Sequence, residues 1–155
     1  MDDKIKILIV DDDPEIRFTL EALLSAEGYQ VDAAETGMEA IRKAEEKWYN
    51  IALIDINLPD INGIRLLTKL REGSPKMRKI IITGFPTLPN AVDALNNQAN
   101  AYLIKPVDIP KMLEAIRNQL EQQESEKTLS EAKLGEFMQN RARSFLESKQ
   151  HDVSP

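Results

Sequence analysis

The sequence predicts an α/β protein with a doubly wound, five-stranded parallel sheet, five helices and a C-terminal helical extension. Five short apolar runs alternate along the chain with five stretches whose apolar residues recur at helical spacing. The runs are almost continuously apolar, which is typical of parallel strands covered on both faces. Because parallel neighbours need crossover connections, the intervening helices are expected to pack on the two faces of the sheet.

The first half of the chain contains three of the predicted strands and two helices. The strands are expected at residues 5–10, 29–34 and 51–55. Asp13 followed by Pro14 is typical of a helix start, and Gly28 stands where a terminating glycine belongs. Thr36 and Gly37 are expected to begin the second helix. The apolar face of that helix is predicted to carry Met38, Ile41, Ala44 and Trp48.

The second half adds two strands and three helices. The strands are expected at residues 80–82 and 101–104, and residues 85–89 are expected to form a loop. Gly73 marks the end of the third helix, and Asp108 is placed to cap the fifth. The apolar positions of the three helices are Ile64, Leu67 and Leu70; then Ala91, Val92, Ala94, Leu95 and Ala99; then Met112, Leu113, Ile116 and Leu120.

Composition narrows the class of protein. The chain has 155 residues, a formal net charge of -6 and no cysteine. Such an acidic chain is not built to coat nucleic acid or anionic lipid, and without cysteine there is no disulfide or thiolate metal site. The first ten residues make no signal peptide, and no apolar run approaches the ~20 residues of a membrane helix. We therefore expect a cytoplasmic protein.

Two parts are expected, a domain at residues 1–120 and a helical extension or linker at residues 121–155. Residues 121–128 contain nothing apolar, so they either extend the fifth helix into solvent or act as a linker. Thr128 and Glu131 match a capping box. Residues 149–155 are predicted to be disordered. The tail before them carries a loose apolar stripe of Leu129, Leu134, Phe137, Met138, Phe145 and Leu146.

Polar side chains follow four of the predicted strands. Asp11 and Asp12 follow the first strand, Asp55 ends the third, Thr83 follows the fourth and Lys105 follows the fifth. The carboxyl ends of parallel strands share one edge of a sheet, where open α/β sheets bind their ligands. Each residue alone could be an ordinary turn or surface residue. Together they supply the groups that phosphoryl transfer onto a carboxylate requires.

A magnesium site is expected at this edge. Neighbouring carboxylates repel unless a cation joins them, and an oxygen-only donor set favours Mg²⁺ over zinc or copper. We expect Asp12, Asp55 and the backbone carbonyl of Asn57 to bind the metal, with Asp11 helping directly or through water. The metal would neutralise charge on the incoming phosphoryl group while the other Asp55 oxygen attacks.

Lys105 and Thr83 are expected to contact the phosphoryl group itself. Lys105 supplies a fixed positive charge, and a lysine about 4 Å from a carboxylate gains roughly 4 kcal/mol at an effective dielectric near 20, before desolvation is subtracted. The Thr83 hydroxyl would donate a hydrogen bond to a phosphoryl oxygen.

These strand ends resemble the receiver domain of two-component response regulators. The resemblance covers residues 4–120, with the motifs in the order and spacing of the family. The matching pieces are Val10-Asp11-Asp12, Asp55 with Pro59 and Gly63, Thr83-Gly84, and Tyr102-Leu103-Ile104-Lys105-Pro106. The resemblance implies a flavodoxin-like sheet with strand order 2-1-3-4-5. Gln98 stands where family members usually have glycine, a departure that touches only a loop.

The resemblance also implies a role for each site residue. A cis peptide bond is implied between Lys105 and Pro106. Phosphorylation is expected to draw the switch residues inward and to reshape the face formed by helix four, strand five and helix five. The roles are the phospho-acceptor Asp55, the acidic pair Asp11 and Asp12, the switch residues Thr83 and Lys105, and the aromatic Tyr102, whose rotation reports phosphorylation.

Two other functions compete with this interpretation. A haloacid-dehalogenase-type phosphatase also phosphorylates an aspartate after a strand, but it needs a general-acid aspartate two positions later, where this chain has Asn57. Such an enzyme also needs a cap domain, which is not found in this sequence. Alternatively, the chain is the N-terminal receiver of a regulator with a DNA-binding output. The short, acidic tail favours a stand-alone regulator instead.

We therefore expect a regulator that is not an enzyme. Its expected partners are a sensor histidine kinase or phosphotransfer protein and a downstream protein target, with no nucleic acid and no membrane. A homodimer would use either the face of helix four, strand five and helix five or the C-terminal helix.

Overall fold

The strands form one parallel sheet. The computed structural model describes residues 4–96 and 99–152. The strands, numbered in chain order, are β1 (Lys6–Val10), β2 (Gln30–Ala34), β3 (Ile51–Asp55), β4 (Arg78–Thr83) and β5 (Ala101–Ile104). Their order in the sheet is β2-β1-β3-β4-β5, and all four neighbouring pairs are parallel. The predicted fold class and strand order are therefore confirmed.

Helices follow the strands, and the first three begin with side-chain caps. They are α1 (Pro14–Ala26), α2 (Gly37–Glu46), α3 (Gly63–Gly73), α4 (Leu88–Asn96) and α5 (Ile109–Asp152). Asp13, Thr36 and Asn62 each accept a backbone N–H from the first turn of α1, α2 and α3. Gly28 ends the turn after α1 at a φ of 93°, a conformation that glycine adopts without a steric penalty.

Two apolar layers cover the sheet, and β3 lies between them. All five residues of β3 are buried. Fully burying one large aliphatic side chain contributes about 1.5–3 kcal/mol, so these layers hold the central strand firmly. The layer on the α2, α3 and α4 side includes Leu8, Val10, Ala40, Leu66, Leu67 and Ala94. The layer on the α1 and α5 side includes Ile7, Ile9, Leu20, Leu24, Met112 and Ile116.

The C-terminal end of α2 differs from the prediction. The helix ends at Glu46, and Lys47 is extended at φ -133° and ψ 152°. Trp48 therefore lies beyond the helix and is 52% exposed, and Met38 is 60% exposed. The buried aromatic here is Tyr49, whose hydroxyl donates to Asp32 at 2.6 Å. The prediction that Trp48 lies on the buried face of α2 was wrong, because the chain leaves the helical path at Lys47. The prediction was also wrong for Met38, which is exposed in the first turn of the helix.

The region of β4 and α4 also differs in detail. β4 begins at Arg78, because the chain pairs with β3 from that residue onward. Lys79 is thereby buried inside the sheet. α4 begins at Leu88, inside the stretch expected to be a loop. Of its predicted apolar face, Ala94 is buried while Val92 and Leu95 are exposed, and Ala99 is buried beyond the helix. Gln98, noted in the sequence, lies outside the described residues.

The chain divides into two compact units, Met1–Leu120 and Glu121–Pro155. α5 continues without a break through residues 121–128 to Asp152, so Thr128 does not cap a separate helix and the expected capping box is not used. The helix thus enters the stretch predicted to be disordered, and residues 153–155 lie outside the described residues. Within the described ranges, no helix combines the length and apolarity needed to cross a bilayer.

Candidate functional site

The polar strand ends meet at the carboxyl edge of the sheet, as the sequence predicts. The register aligns Val10 with Ile54 and Thr83 with Ile104, so the ends of neighbouring strands are level. Carboxylate oxygens of Asp11, Asp12 and Asp55 all lie within 4.8 Å of one another. Three acids at this distance form an oxygen-rich cluster of the kind that hard divalent cations prefer.

Lys105 joins two of these acids. Its Nζ lies 3.0 Å from Asp11 Oδ2 and 3.1 Å from Asp55 Oδ2. The two carboxylates are almost fully buried, and the lysine side chain is mostly buried. A buried carboxylate is stable only when it is paired and hydrogen-bonded. Lys105 therefore offsets part of the cost of burying the carboxylates of Asp11 and Asp55.

Burial and neighbouring charges shift the pKa values of Asp11 and Lys105. Burial raises the pKa of Asp11, although hydrogen bonds from the Asp13 backbone and from Lys105 act in the opposite direction. For Lys105, burial alone would lower the pKa, but hydrogen bonds and charges from Asp11 and Asp55 outweigh it and raise the pKa. Lys105 therefore stays cationic, while burial makes the charged form of Asp11 less favourable.

Asp55 is fixed by the loop that follows β3. Its Oδ1 accepts the backbone N–H of Asn57 at 3.0 Å, and Asn57 pairs with Asn62 across the loop. The loop closes where the N–H of Gly63 donates to the carbonyl of Ile56 at 3.0 Å. A Cβ at Gly63 would lie only 2.5 Å from the Ile56 Cα, so a larger residue would displace the loop that follows Asp55.

Of the two acidic residues after β1, Asp11 is fixed by hydrogen bonds to neighbouring residues. Asp11 accepts the Asp13 N–H at 2.9 Å, and its own N–H donates to the Ala34 carbonyl at 3.1 Å. Arg17 Nη1 donates to the Asp11 carbonyl at 2.8 Å, a contact that the sequence pattern did not predict. Asp12, by contrast, is exposed and lines a cavity of about 460 Å³ together with the loop from residue 56 to residue 62.

Asp60 is a second residue whose contacts the sequence pattern did not predict. Its Oδ1 accepts the N–H of Gly37 and its Oδ2 accepts the N–H of Met38, each at 2.9 Å. These bonds lower the pKa of Asp60 and attach the β3–α3 loop to the first turn of α2. A Cβ at Gly37 would lie 2.0 Å from the Ile61 Cγ2, so a larger residue here would force Ile61 to move. The free N–H groups at a helix start were the only sequence signal for this contact.

The remaining predicted residues lie on β4 and β5. Thr83 is fully buried, and its hydroxyl accepts the Phe85 N–H at 3.1 Å. Tyr102 packs against the apolar layer that includes Ala94, and its buried hydroxyl has no hydrogen-bond partner among the described residues. Burial raises the pKa of that phenol. The peptide bond between Lys105 and Pro106 is cis, as expected from the resemblance.

Comparison with known proteins identifies the family. Residues 7–117 match the family described as the response regulator receiver domain, so the chain belongs to this family. A receiver domain protein (CheY-like) from Methanospirillum hungatei JF-1 is 44% identical with a TM-score of 0.78, over 79% of this chain and 98% of that one. The response regulator TrrA of Thermotoga maritima, solved in complex with Mg²⁺-BeF, is 29% identical with a TM-score of 0.68, over 74% of this chain and 98% of that one.

A curated relative is much longer than this chain. The transcriptional regulatory protein ZraR of Klebsiella oxytoca is 36% identical over 110 residues, which are 71% of this chain and 25% of that protein. The chain thus corresponds to about a quarter of the length of that relative.

Proposed function

We propose that this receiver accepts a phosphoryl group on Asp55. The proposal rests on the contacts of Lys105. Its Nζ lies 3.0 Å from the buried carboxylate of Asp11 and 3.1 Å from that of Asp55. The donor is a phosphohistidine of a sensor kinase or phosphotransfer protein. The N–P bond breaks as an O–P bond forms on Asp55, and the imidazole leaves and takes up a proton.

The site suits Mg²⁺ as a cofactor. The donor set consists only of oxygens, and Asp12 is exposed beside a cavity that Asn57 also lines. Asp12, Asp55 and the Asn57 carbonyl would hold the ion, with Asp11 acting directly or through water. When bound, it neutralises negative charge between the acids and the phosphoryl group. The TrrA protein, solved in complex with Mg²⁺-BeF, supports this choice of metal.

The output of the site is a change in a protein-binding face. A phosphoryl group adds about -1.5 to -2 charge at Asp55 and attracts the Lys105 ammonium and the Thr83 hydroxyl. Movement of Thr83 opens space beside β4, into which Tyr102 rotates. The face of α4, β5 and the first turns of α5 then changes shape, and Val92, Leu95 and Ile104 already expose apolar surface there.

The protein acts as a regulator rather than as an enzyme. Its partners are the kinase or phosphotransfer protein, a downstream protein and a second copy of the chain, which would bind through the α4-β5-α5 face or through the C-terminal helix. A cytoplasmic location remains a prediction.

Phosphorylation with and without Mg²⁺ tests the proposal. Incubation with acetyl phosphate or a phosphorylated kinase should add the mass of one phosphoryl group to the intact protein only when Mg²⁺ is present. Asp55→Asn should abolish the adduct, while Asp108→Asn, at an exposed helix cap, should keep it. An undiminished adduct on Asp55→Asn would refute the proposal.

A DNA-binding regulator is the second candidate function. It is favoured by the name of the longer relative ZraR, a transcriptional regulatory protein. Residues 121–155 argue against DNA binding by this part of the chain, because they contain seven acids and five bases. A gel shift at low salt with the 155-residue chain tests whether these residues bind DNA themselves, and we expect the DNA to stay unshifted.

A further inference from the structure

The C-terminal part of α5 carries a heptad seam. Seven residues between positions 127 and 148 recur at alternating spacings of four and three, the repeat of a coiled coil. All seven are exposed. They are Lys127, Glu131, Leu134, Met138, Arg141, Phe145 and Ser148.

The apolar residues of this seam are highly exposed. Leu134, Met138 and Phe145 are 58, 61 and 60% exposed, and Phe137 beside the seam is 58% exposed. A helix in water gains most of its stability by packing an apolar face, and a contiguous apolar patch on a surface marks an interaction site. Another molecule is therefore expected to cover this face.

The charges in the seam indicate which molecule covers it and in which direction. In a parallel pair of identical helices, Glu131 would face Glu131 and Arg141 would face Arg141, and both contacts repel. In an antiparallel pair centred on residue 136, Glu131 faces Arg141 of the second copy and Leu134 faces Met138. The same register thus forms two ion pairs and two apolar layers.

We propose that residues 127–148 of two copies of this chain pair as an antiparallel coiled coil. The pairing does not depend on phosphorylation of Asp55. It replaces the two alternatives for the dimer with a defined interface in the C-terminal helix. The acidic balance of residues 121–155 disfavours an anionic lipid surface as the occupant of the same face.

One side-chain contact already prepares this interface. The guanidinium of Arg141 lies over the ring of Phe137, 5.8 Å from its centroid. This cation–π contact holds the Arg141 guanidinium at the seam, where Glu131 of the second copy would form an ion pair with it. Phe137 is one position from the centre of the register, so the two copies of this ring lie near the twofold axis and cover each other.

Disulfide trapping in the full chain tests the direction of pairing, because the chain has no native cysteine. Glu131→Cys mixed with Arg141→Cys should form a mixed disulfide. Each variant alone should not, since identical positions in the antiparallel pair are offset by about 15 Å along the axis, beyond the ~7 Å that a disulfide spans. Efficient self-linking of Glu131→Cys would show a parallel pair and overturn the proposal.

Sedimentation equilibrium on charge variants tests whether a second copy of the chain covers the seam. Arg141→Glu should weaken the dimer by about tenfold, since two ion pairs become repulsive, and adding Glu131→Arg should restore it. Arg143→Glu, the same change outside the seam, should leave the dimer intact. A full chain that stays monomeric up to about 1 mM, or an Arg141→Glu variant that dimerises like the wild type, would overturn the proposal.

Discussion

Lys105 Nζ lies 3.1 Å from Oδ2 of Asp55, although the two residues are 50 positions apart in the chain. The other oxygen of Asp55 accepts the Asn57 N–H at 3.0 Å. The Asp55 carboxylate is therefore oriented by two donors, in advance of the phosphorylation that we propose. A hydrogen bond to a charged group contributes about 1.5–3 kcal/mol, which is enough to hold one orientation.

Stabilisation by Mg²⁺ should depend on Asp12. Asp12 is exposed. Without Mg²⁺, Asp12→Ala should therefore change the free energy of unfolding by less than about 0.5 kcal/mol. Saturating Mg²⁺ at 100 times the dissociation constant stabilises a protein by about 2.7 kcal/mol, and the variant should lose most of this gain. Chemical unfolding with Mg²⁺ and with EDTA measures it. Glu45→Ala on α2 is the control, and an equal Mg²⁺ response in Asp12→Ala would contradict the assignment.

Thr83→Ala should separate phosphorylation from its conformational response. The variant should still accept phosphate on Asp55 but lose most of the shift in α4. Reversing a 1:99 population requires about 5.5 kcal/mol. Each hydrogen bond to a charged group supplies roughly 1.5–3 kcal/mol, so Lys105 alone is not sufficient.

NMR of the phosphorylated protein checks the role of Thr83. Thr83→Ser keeps the hydroxyl and should retain the response, which makes it the matched control. A full shift pattern of α4 in phosphorylated Thr83→Ala would show that the coupling does not pass through this hydroxyl.

Asp60→Ala should weaken the attachment of the β3–α3 loop to α2. The N–H groups of Met38 and Gly37 lower the pKa of Asp60, so its contribution to stability is present above the unfolded pKa of about 3.9. That contribution is lost as the pH falls through the lower folded pKa. The wild type should therefore be more stable than Asp60→Ala at neutral pH, and the difference should shrink below about pH 4.

Chemical unfolding of both proteins across this pH range measures the difference, with Glu114→Ala on α5 as an exposed-acid control. Mg²⁺ affinity should fall in Asp60→Ala as well, because the same loop carries the Asn57 carbonyl. A stability difference that is constant with pH would exclude the carboxylate as its source.

Lys79→Met should stabilise the protein at neutral pH. Burial, with the charges of Arg71 and Arg78, lowers the pKa of Lys79 to about 8, and its Nζ donates only to the Met77 carbonyl at 3.0 Å among the bonds described. Between this value and the unfolded pKa of about 10.4, the unfolded chain binds more protons, so the stability of the wild type rises with pH.

The variant should gain about 2 kcal/mol at pH 7, since each pKa unit corresponds to about 1.4 kcal/mol and the lost hydrogen bond offsets part of the gain. The gain should vanish as the pH approaches about 10.4. Denaturant titrations at the two pH values test this, with the exposed Lys69→Met as control. A variant less stable than the wild type at neutral pH would show that the ammonium is well solvated.

The strand ends could be predicted because their pattern is local. Each apolar run stops at a polar residue, and a parallel sheet gathers all such residues at one edge. This pattern predicted the candidate site residues Asp11, Asp12, Asp55, Thr83 and Lys105. The direction in which Lys105 points was inferred from chemistry, and the two hydrogen bonds to the acids agree with it.

Other features depend on contacts that no local pattern encodes. Asp60 reaches Gly37 across 23 residues, and its partners are backbone groups that carry no side-chain signal. Trp48 and Tyr49 are adjacent aromatics, and only the point at which α2 ends decides which one is buried. Lys79 has a charged side chain, but the pairing of β4 with β3 places it in the sheet, where it is buried.

Chemical mapping of the acyl phosphate tests the central claim most directly. After phosphorylation with Mg²⁺, borohydride reduces an aspartyl phosphate to homoserine, which marks the residue that carried the phosphoryl group. Peptide sequencing by mass spectrometry should find homoserine at position 55, and none at positions 11 or 12. Homoserine at Asp11 or Asp12 with an unmodified Asp55 would contradict the account.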